Sequence, residues 1–395
     1  MMFNQWKTYY EVFIVSTLLG FTSFGGPVAH LGYFHETYVR KRKWIDEKSY
    51  MNLVALSQFL PGPASSQVGI GIGVIRAGII GGIISFIGFT FPSVIILILF
   101  ALVFNGLQLE NMGFIHGLKL VAVAIVAQAI YSMARQFTPD LKRKLIALIA
   151  LAVILFIPTN YIQLIVIIIA AFIGSQLFKG KHAKNEEELV QFPISKKVGA
   201  FFLFLFFAFL ILLPIVAYFF PNGWIQLINS LYRSGALVFG GGHVVLPLLE
   251  QAFVSTGWMD QGAFLAGYGA TQAVPGPLFT FASYIGTVIY GWKGGVVATI
   301  AIFLPAFFLI IGSLPFFNQL MKNPKMQGCF IGVNAAVVGI LLAAFIHPIW
   351  TTTILTITDF IFATVLLILS MYYKLPTWSI VAIGVVGGTI MEFIL

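Results

Sequence analysis

The chain has 395 residues, of which 59% are hydrophobic and 9% charged, and its formal net charge is +9. Soluble domains carry roughly 25% charged residues and under half apolar ones, so this composition excludes a soluble enzyme, a disordered protein and a nucleic-acid binder. The surplus cations point instead to the cytoplasmic loops of a membrane protein, where the positive-inside rule places them. The single Cys329 rules out a disulfide framework and a multi-thiolate metal site.

Met1 to Lys7 carries one cation, and the following apolar run has no small-x-small cleavage site, so a signal peptide is not expected. There is no GxxxxGK[ST] sequence and no large soluble domain, so ATP-driven pumping by this chain alone is not expected either.

In chain order, apolar segments lie near 8–30, 51–76, 78–105, 113–135, 143–157 and 160–178. A charged stretch, Lys179 to Lys197, interrupts them, and a lone apolar helix follows at about 198–220. Six more segments lie near 224–250, 262–289, 293–317, 328–346, 357–372 and 376–394, about thirteen in all. The expected organisation is a first transmembrane repeat over 1–178, a charged cytoplasmic loop and linker helix over 179–220, and a second repeat over 221–395.

The halves repeat each other at an offset of 213–215 residues. Phe24-Gly25-Gly26-Pro27 returns as Phe239-Gly240-Gly241-Gly242, and Trp44-Ile45-Asp46 returns as Trp258-Met259-Asp260. Ser57-Gln58-Phe59-Leu60-Pro61-Gly62-Pro63 returns as Thr271-Gln272-Ala273-Val274-Pro275-Gly276-Pro277, and Pro92 returns as Pro305. Six segments plus one linker helix turn the second half upside down, an architecture common among secondary transporters.

Glycine and proline break the first two segments of each half, at Gly25-Gly26-Pro27 and at Pro61-Gly62-Pro63 in the first. Each such segment reads as a helical hairpin. The loop between the first two hairpins carries Arg40, Lys41, Arg42, Lys43 and Lys48, whereas its partner near 247–261 carries no Lys or Arg. Re-entrant hairpins put the basic loop inside and the neutral loop outside, with the N-terminus inside and the C-terminus outside. Full spans would put the basic loop outside, against the positive-inside rule. The fold expected is therefore an all-α polytopic membrane protein, an inverted-topology repeat whose halves each begin with two re-entrant hairpins.

Irregular backbone at membrane depth requires burial in protein or a wet cavity. The helix starts near Pro27, Pro63, Gly242 and Pro277 offer free N–H groups and positive dipole ends, both suited to an anion. Nearby polar residues are donors, and no Asp or Glu occurs in 20–30, 57–68, 235–245 or 270–282. The candidate substrate contacts are Ser23, Gly25, Gly26, Ser57, Gln58, Gly62, Ser65 and Ser66 in the first half. In the second they are Gly240, Gly241, His243, Thr271, Gln272, Gly276 and Thr280. A donor-only site favours a fully ionised tetrahedral dianion over hydrogen phosphate, which also needs an acceptor. Small residues that merely allow close helix packing are the alternative.

Charges inside the membrane cost roughly 2.5–3.5 kcal/mol each. Arg233, six residues before Phe239, is the candidate cationic contact and suits bidentate oxyanion binding. Arg76, His116 and Lys119 read as rim residues, and Asp359 and Glu392 as near-interface carboxylates. His30 and His35 are spaced by five and do not share a helix face, so no metal site is expected. No cofactor and no catalytic residue is expected.

The paired Phe-Gly-Gly and Pro-Gly-Pro elements resemble those of the chromate transporter family, in its long two-domain form, over both halves. That resemblance implies export of chromate across the bacterial cytoplasmic membrane, chromate resistance, competition by sulfate and thirteen helices in two oppositely oriented halves. The expected partners are a chromate-like or sulfate-like oxyanion, the lipid bilayer and, as an open alternative, a second copy of the chain. Other readings are a transporter of sulfate or another oxyanion, a passive anion channel, and a non-transporting assembly factor or scramblase.

Overall fold

Glycine and proline decide where the first helices stop. In the computed structural model, which describes residues 2–107, 112–157, 162–178, 192–239 and 241–394, the apolar runs fold as helices and no strand occurs among the described residues. Gly240 and the charged stretch 179–191 lie outside those residues. Helix α1 (Met2–Thr22) ends at Ser23, and the chain passes through Gly25 at φ 100° and Gly26 at φ 78°, a left-handed region glycine enters without Cβ strain. Pro27 then starts α2 (Gly26–Phe34), which continues as the π-helical turn His35–Lys41.

Helix α3 (Glu47–Phe59) begins where the Asp46 side chain accepts a hydrogen bond from the Ser49 amide, and it ends before Leu60-Pro61-Gly62-Pro63. Helix α4 (Ala64–Leu107) folds back on itself at Ala77 (φ −147°, ψ 24°) and Gly78 (φ 70°, ψ −168°). Its two arms touch at Gly73 and Gly81, where a Cβ on either residue would overlap the other's carbonyl. The chain then forms α5 (Gly113–Phe137), α6 (Leu141–Phe156), α7 (Ile162–Leu177) and the linker α8 (Lys196–Phe219).

The second half follows the same plan. Its helices are α9 (Gly223–Ala236), α10 (Val245–Phe253), α11 (Gln261–Thr271), α12 (Phe281–Ser313), α13 (Phe317–Lys322), α14 (Pro324–Ala344), α15 (Thr351–Thr353), α16 (Ile357–Met371) and α17 (Thr377–Ile394). Asp260 caps α11 through the Gly262 and Ala263 amides, as Asp46 caps α3. Helix start is thus the physical reason for the aspartate in both Trp-x-Asp landmarks. Helix α12 turns back at Tyr290 (φ −133°, ψ 22°) and Gly291 (φ 66°, ψ −166°), nearly the angles of Ala77 and Gly78. Gly286 and Gly294 repeat the close contact of Gly73 and Gly81.

Among the described residues, five helices are long and apolar enough to cross a membrane: Ala64–Asn105, Gly113–Phe137, Lys196–Phe219, Leu278–Phe316 and Pro324–Thr353. Ile162–Leu177, Ile357–Met371 and Thr377–Phe393 are shorter and apolar. The fold is that of an all-α polytopic membrane protein. The bends at 77–78 and 290–291 divide the two longest spans into a short arm and a long one. The short arm 64–76 is about 20 Å long at 1.5 Å per residue, too short for a 30 Å hydrocarbon core.

Ion pairs gather the open ends of the first two hairpins. Glu11 on α1 reaches Arg42 at 3.4 Å and Arg76 at 3.3 Å, and the Arg76 guanidinium lies 5.4 Å from the Trp44 ring centroid. In the second half Tyr290 takes the place of Arg76 against Trp258, edge to face at 6.3 Å.

Across the halves, α5 packs on α16 and α17, while α14 packs on α6 and α7. The contacts are glycine-mediated: Gly113 and Gly117 meet Gly384 and Gly388, and Gly328 and Gly332 meet Gly174. At each contact a Cβ would collide with facing backbone, the close approach that small-xxx-small spacing permits. Each half therefore clasps the central helix of the other.

Candidate functional site

The four glycine-rich tips meet. The Gly276 amide donates to the Ser23 carbonyl at 2.9 Å, and the Gly62 amide donates to the Val238 carbonyl at 2.7 Å. Ser23 corresponds to Val238 and Gly62 to Gly276, so the two bonds are one interaction made twice across the repeat. Gly62 (φ 113°) and Gly276 (φ 101°) both lie in the left-handed region. A Cβ on Gly62 would stand 3.2 Å from the Ala306 Cβ, and one on Gly276 would stand 2.9 Å from the Ser93 Oγ. Ser93 and Ala306 are also repeat partners. Each Pro-Gly-Pro tip therefore leans on the long helix arm of the opposite half.

These bonds change what two expected contacts offer. The Gly62 and Gly276 amides are engaged by protein carbonyls. Gly25 and Gly26 keep the left-handed turn at the first tip, and Gly241 (φ 139°) keeps it at the third. Gly240 lies outside the described residues.

The expected side chains divide in the same way. Ser23, Ser57, Ser65 and Ser66 are each at most 2% exposed, whereas Gln58 is exposed and faces away from them. Among the described residues, the Ser23, Ser57 and Ser66 hydroxyls have no hydrogen-bond partner, and neither has Oε1 of buried Gln67, whose Nε2 donates to the Pro61 carbonyl at 2.7 Å. In the second half Thr271 donates to the Gly267 carbonyl at 2.8 Å, and Thr280 to the Pro277 carbonyl at 2.7 Å. His243 Nδ1 pairs with the Tyr268 hydroxyl at 2.7 Å. Gln272 is buried, and its Nε2 has no partner at hydrogen-bond geometry among the described residues.

Arg233 stands apart from the tips, on the last turn of α9. It lines a cavity of about 190 Å³ with Gln163, Ser230, Ser234, Gln251 and Thr256. Leu237, which precedes the Val238 carbonyl of the tip contact, lines the same cavity. Arg76 is held at the hairpin ends by Glu11 and does not reach the tips. His116 Nε2 and the Asp359 carboxylate are 2.6 Å apart, and that carboxylate also accepts from the Leu355 and Thr356 amides at the start of α16. His35 is paired with Glu47 at 2.8 Å.

Three residues beside the tips were not among the expected contacts. His30 is 1% exposed, and its Nδ1 lies 3.2 Å from the Ser65 Oγ. Thr90 and Ser93 are buried on the long arm of α4. Their signal was in the sequence, since Ser85, Thr90 and Ser93 are hydroxyl residues in an otherwise apolar span.

The chromate transporter profile matches the chain twice, over residues 10–175 and 225–389. The probable chromate transport protein of Synechococcus elongatus is 28% identical over 94% of this chain and 93% of its own length. The chromate transport protein of Pseudomonas aeruginosa is 28% identical over 85% of this chain and 79% of its own. An uncharacterized transporter of Methanocaldococcus jannaschii is 26% identical over 85% and 83%. No solved structure matches the chain. A duplicated profile, spanning both tip pairs and both clasped helices, places this multi-pass membrane protein in the chromate transporter family.

Proposed function

We propose that the chain is a secondary transporter that exports chromate, or a similar tetrahedral dianion such as sulfate, across the cytoplasmic membrane of its cell and thereby confers chromate resistance. The observation that carries this reading is the paired tip contact, Ser23 with Gly276 and Val238 with Gly62. It brings four helix breaks together beside buried hydroxyls that lack partners, with no carboxylate in the tip segments. An anion that is already fully ionised needs only donors there.

In this reading the halves are inverted, the hairpins re-enter, and the N-terminus is inside. The cavity beside Arg233 is the route to the tips from the neutral-loop side, and the guanidinium attracts the dianion along it. Because each half clasps the other, the hairpin pairs move against the α5–α14 frame to alternate access. With the inside negative, a dianion leaving down a potential of about 100 mV gains roughly 4.6 kcal/mol at 2.3 per charge, enough to favour efflux without a coupled ion.

Flux into oriented proteoliposomes tests the function, with chromate, sulfate, molybdate and phosphate compared at two membrane potentials. Saturable chromate flux that grows with the potential is expected. No oxyanion flux would remove the reading, and currents far above transporter turnover would make the protein a channel. An Arg233→Ala variant is expected to raise the KM for chromate, and an unchanged KM would take Arg233 out of the pathway.

A further inference from the structure

We propose that the oxyanion is contacted by Ser23, His30 and Thr90, all of the first half, while the corresponding place in the second half is closed. This rests on the transport reading and names its site.

The three residues lie around one tip. The Ser23 carbonyl receives the Gly276 amide, and the Cβ position of Gly276 is 2.9 Å from the Ser93 Oγ and 3.5 Å from the Phe89 carbonyl. Ser93 in turn donates to the Thr90 carbonyl at 2.9 Å, which puts Thr90 on the same side of the long arm. The His30 ring meets the Phe89 ring edge to face at 5.5 Å and lies beside the Ser23 main chain. Helix α2, the Pro63 turn and the long arm of α4 thus converge with the Gly276 tip.

Each of the three carries a buried polar atom, and that of His30 has only the Ser23 main chain nearby, outside hydrogen-bond geometry. Ser23 is 0% exposed, His30 1% and Thr90 2%. Among the described residues, Ser23 Oγ, His30 Nε2 and Thr90 Oγ1 all lack a partner at hydrogen-bond geometry. Leaving such a group unpaired costs about 1–3 kcal/mol, so three of them around one tip are a substantial destabilisation with no structural return. In the tautomer whose Nδ1 accepts from the Ser65 hydroxyl, His30 Nε2 carries the proton beside the Ser23 main chain, and a bound anion would draw it as a third donor.

Duplication provides an internal control. Ser23 is replaced by Val238 and Thr90 by Phe303. Ser93 becomes Ala306 and Ser85 becomes Ala298. The turn after Pro63 reads Ala64-Ser65-Ser66-Gln67, and the turn after Pro277 reads Leu278-Phe279-Thr280-Phe281. His243 is already bonded to Tyr268, and Thr271 and Thr280 to their own backbone. Close packing alone would demand small residues on both sides. It does not demand unpaired hydroxyls on one side and aromatic rings on the other.

The test separates a ligand role from a structural one. Thr90→Val keeps the shape of the side chain and removes a hydroxyl that bonds nothing in the protein, and Ser23→Ala does the same at the tip. Both are measured for chromate KM in proteoliposomes and for melting temperature in detergent without anion. Thr299→Val, whose hydroxyl donates to the Gly295 carbonyl at 2.8 Å, is the control. The site predicts that Thr90→Val and Ser23→Ala each raise KM about tenfold or more, the loss of one hydrogen bond to a charged ligand. It also predicts that they melt at or above the wild-type temperature, while Thr299→Val keeps its KM. A transporting wild type whose KM is unchanged in both variants overturns the site, as does a fall in their melting temperature matched by the loss of flux. A wild type that moves no oxyanion overturns the transport reading itself.

Discussion

Arg76 and Glu11 are 65 residues apart in sequence and 3.3 Å apart in space. Glu11 also reaches Arg42, so the basic loop after the first hairpin and the bend that ends the second are joined at one face. Both hairpins leave that face and return to it. In a chain whose native Cys329 is changed to serine, cysteines at Lys43 and at Arg76 are expected to react with an impermeant thiol reagent from the same side. A cysteine at Thr256, in the loop without cations, is expected to react from the other. Labelling of Lys43→Cys and Thr256→Cys from one side would rule out the inverted arrangement.

The matched bonds at the tips make Gly62 and Gly276 equivalent targets. Alanine at either position must take a φ above 100°, and at Gly62 its Cβ would meet Gln67 Nε2 at 3.0 Å. A left-handed non-glycine residue costs roughly 1–2 kcal/mol before any collision is counted. Gly62→Ala and Gly276→Ala are each expected to lower the melting temperature in detergent and to abolish flux. A variant with wild-type melting and flux would show that the tips do not depend on this backbone turn.

Glycine has a different role in the frame. At Gly117 and Gly332 a side chain would collide with backbone of the opposite half, at Gly384 and at Ala170. Gly117→Leu and Gly332→Leu are expected to separate α5 from α17 and α14 from α7. Neither should elute as a folded, monodisperse species in size-exclusion chromatography. A normal elution profile would mean that the glycines are not the closest approach.

Asp46 supports a prediction about pH. Hydrogen bonds from the Ser49 hydroxyl and amide hold its carboxyl below the usual carboxylate range. The ionised form is favoured in the folded state, so the contribution is present above the ordinary carboxylate pKa and fades as the pH falls through the lowered folded value. Asp46→Ala is expected to cost about 1 kcal/mol near pH 7, the worth of an N-cap, while Asp46→Asn retains most of it. The gap between Asp46→Ala and wild type should narrow in acid by the part that depends on the charge. A gap independent of pH would mean that the carboxylate charge is not what starts α3.

The helices and their breaks were legible in the sequence because glycine and proline act locally. Gly25-Gly26-Pro27 and Pro61-Gly62-Pro63 interrupt helices wherever they stand. The recurrence of four landmarks at one offset likewise marked the duplication, which the twice-matching profile shows directly. What the sequence did not disclose is how the halves meet. Gly62 and Gly276 read as free anion donors, yet each bonds a carbonyl more than 170 residues away in the chain, a fact no local pattern encodes. His30 was weighed only against His35 as a metal ligand, because its partner Ser65 lies on another helix. Thr90 and Ser93 sat in an apolar run where hydroxyls are easily taken for packing residues. The inequality of the halves became visible only when hydroxyls of equivalent position, Ser57 and Thr271, proved to differ in partner.

The clasp between the halves also dictates an order of birth. Helix α5 is synthesised early, but the glycines that fit it, Gly384 and Gly388, belong to α17. Helix α7 likewise waits for α14. A nascent chain that has inserted only its first half therefore holds helix faces in the bilayer whose partners do not yet exist. This contact can close only after α17 leaves the ribosome, and a chain cut before α17 loses the glycine contact of α5.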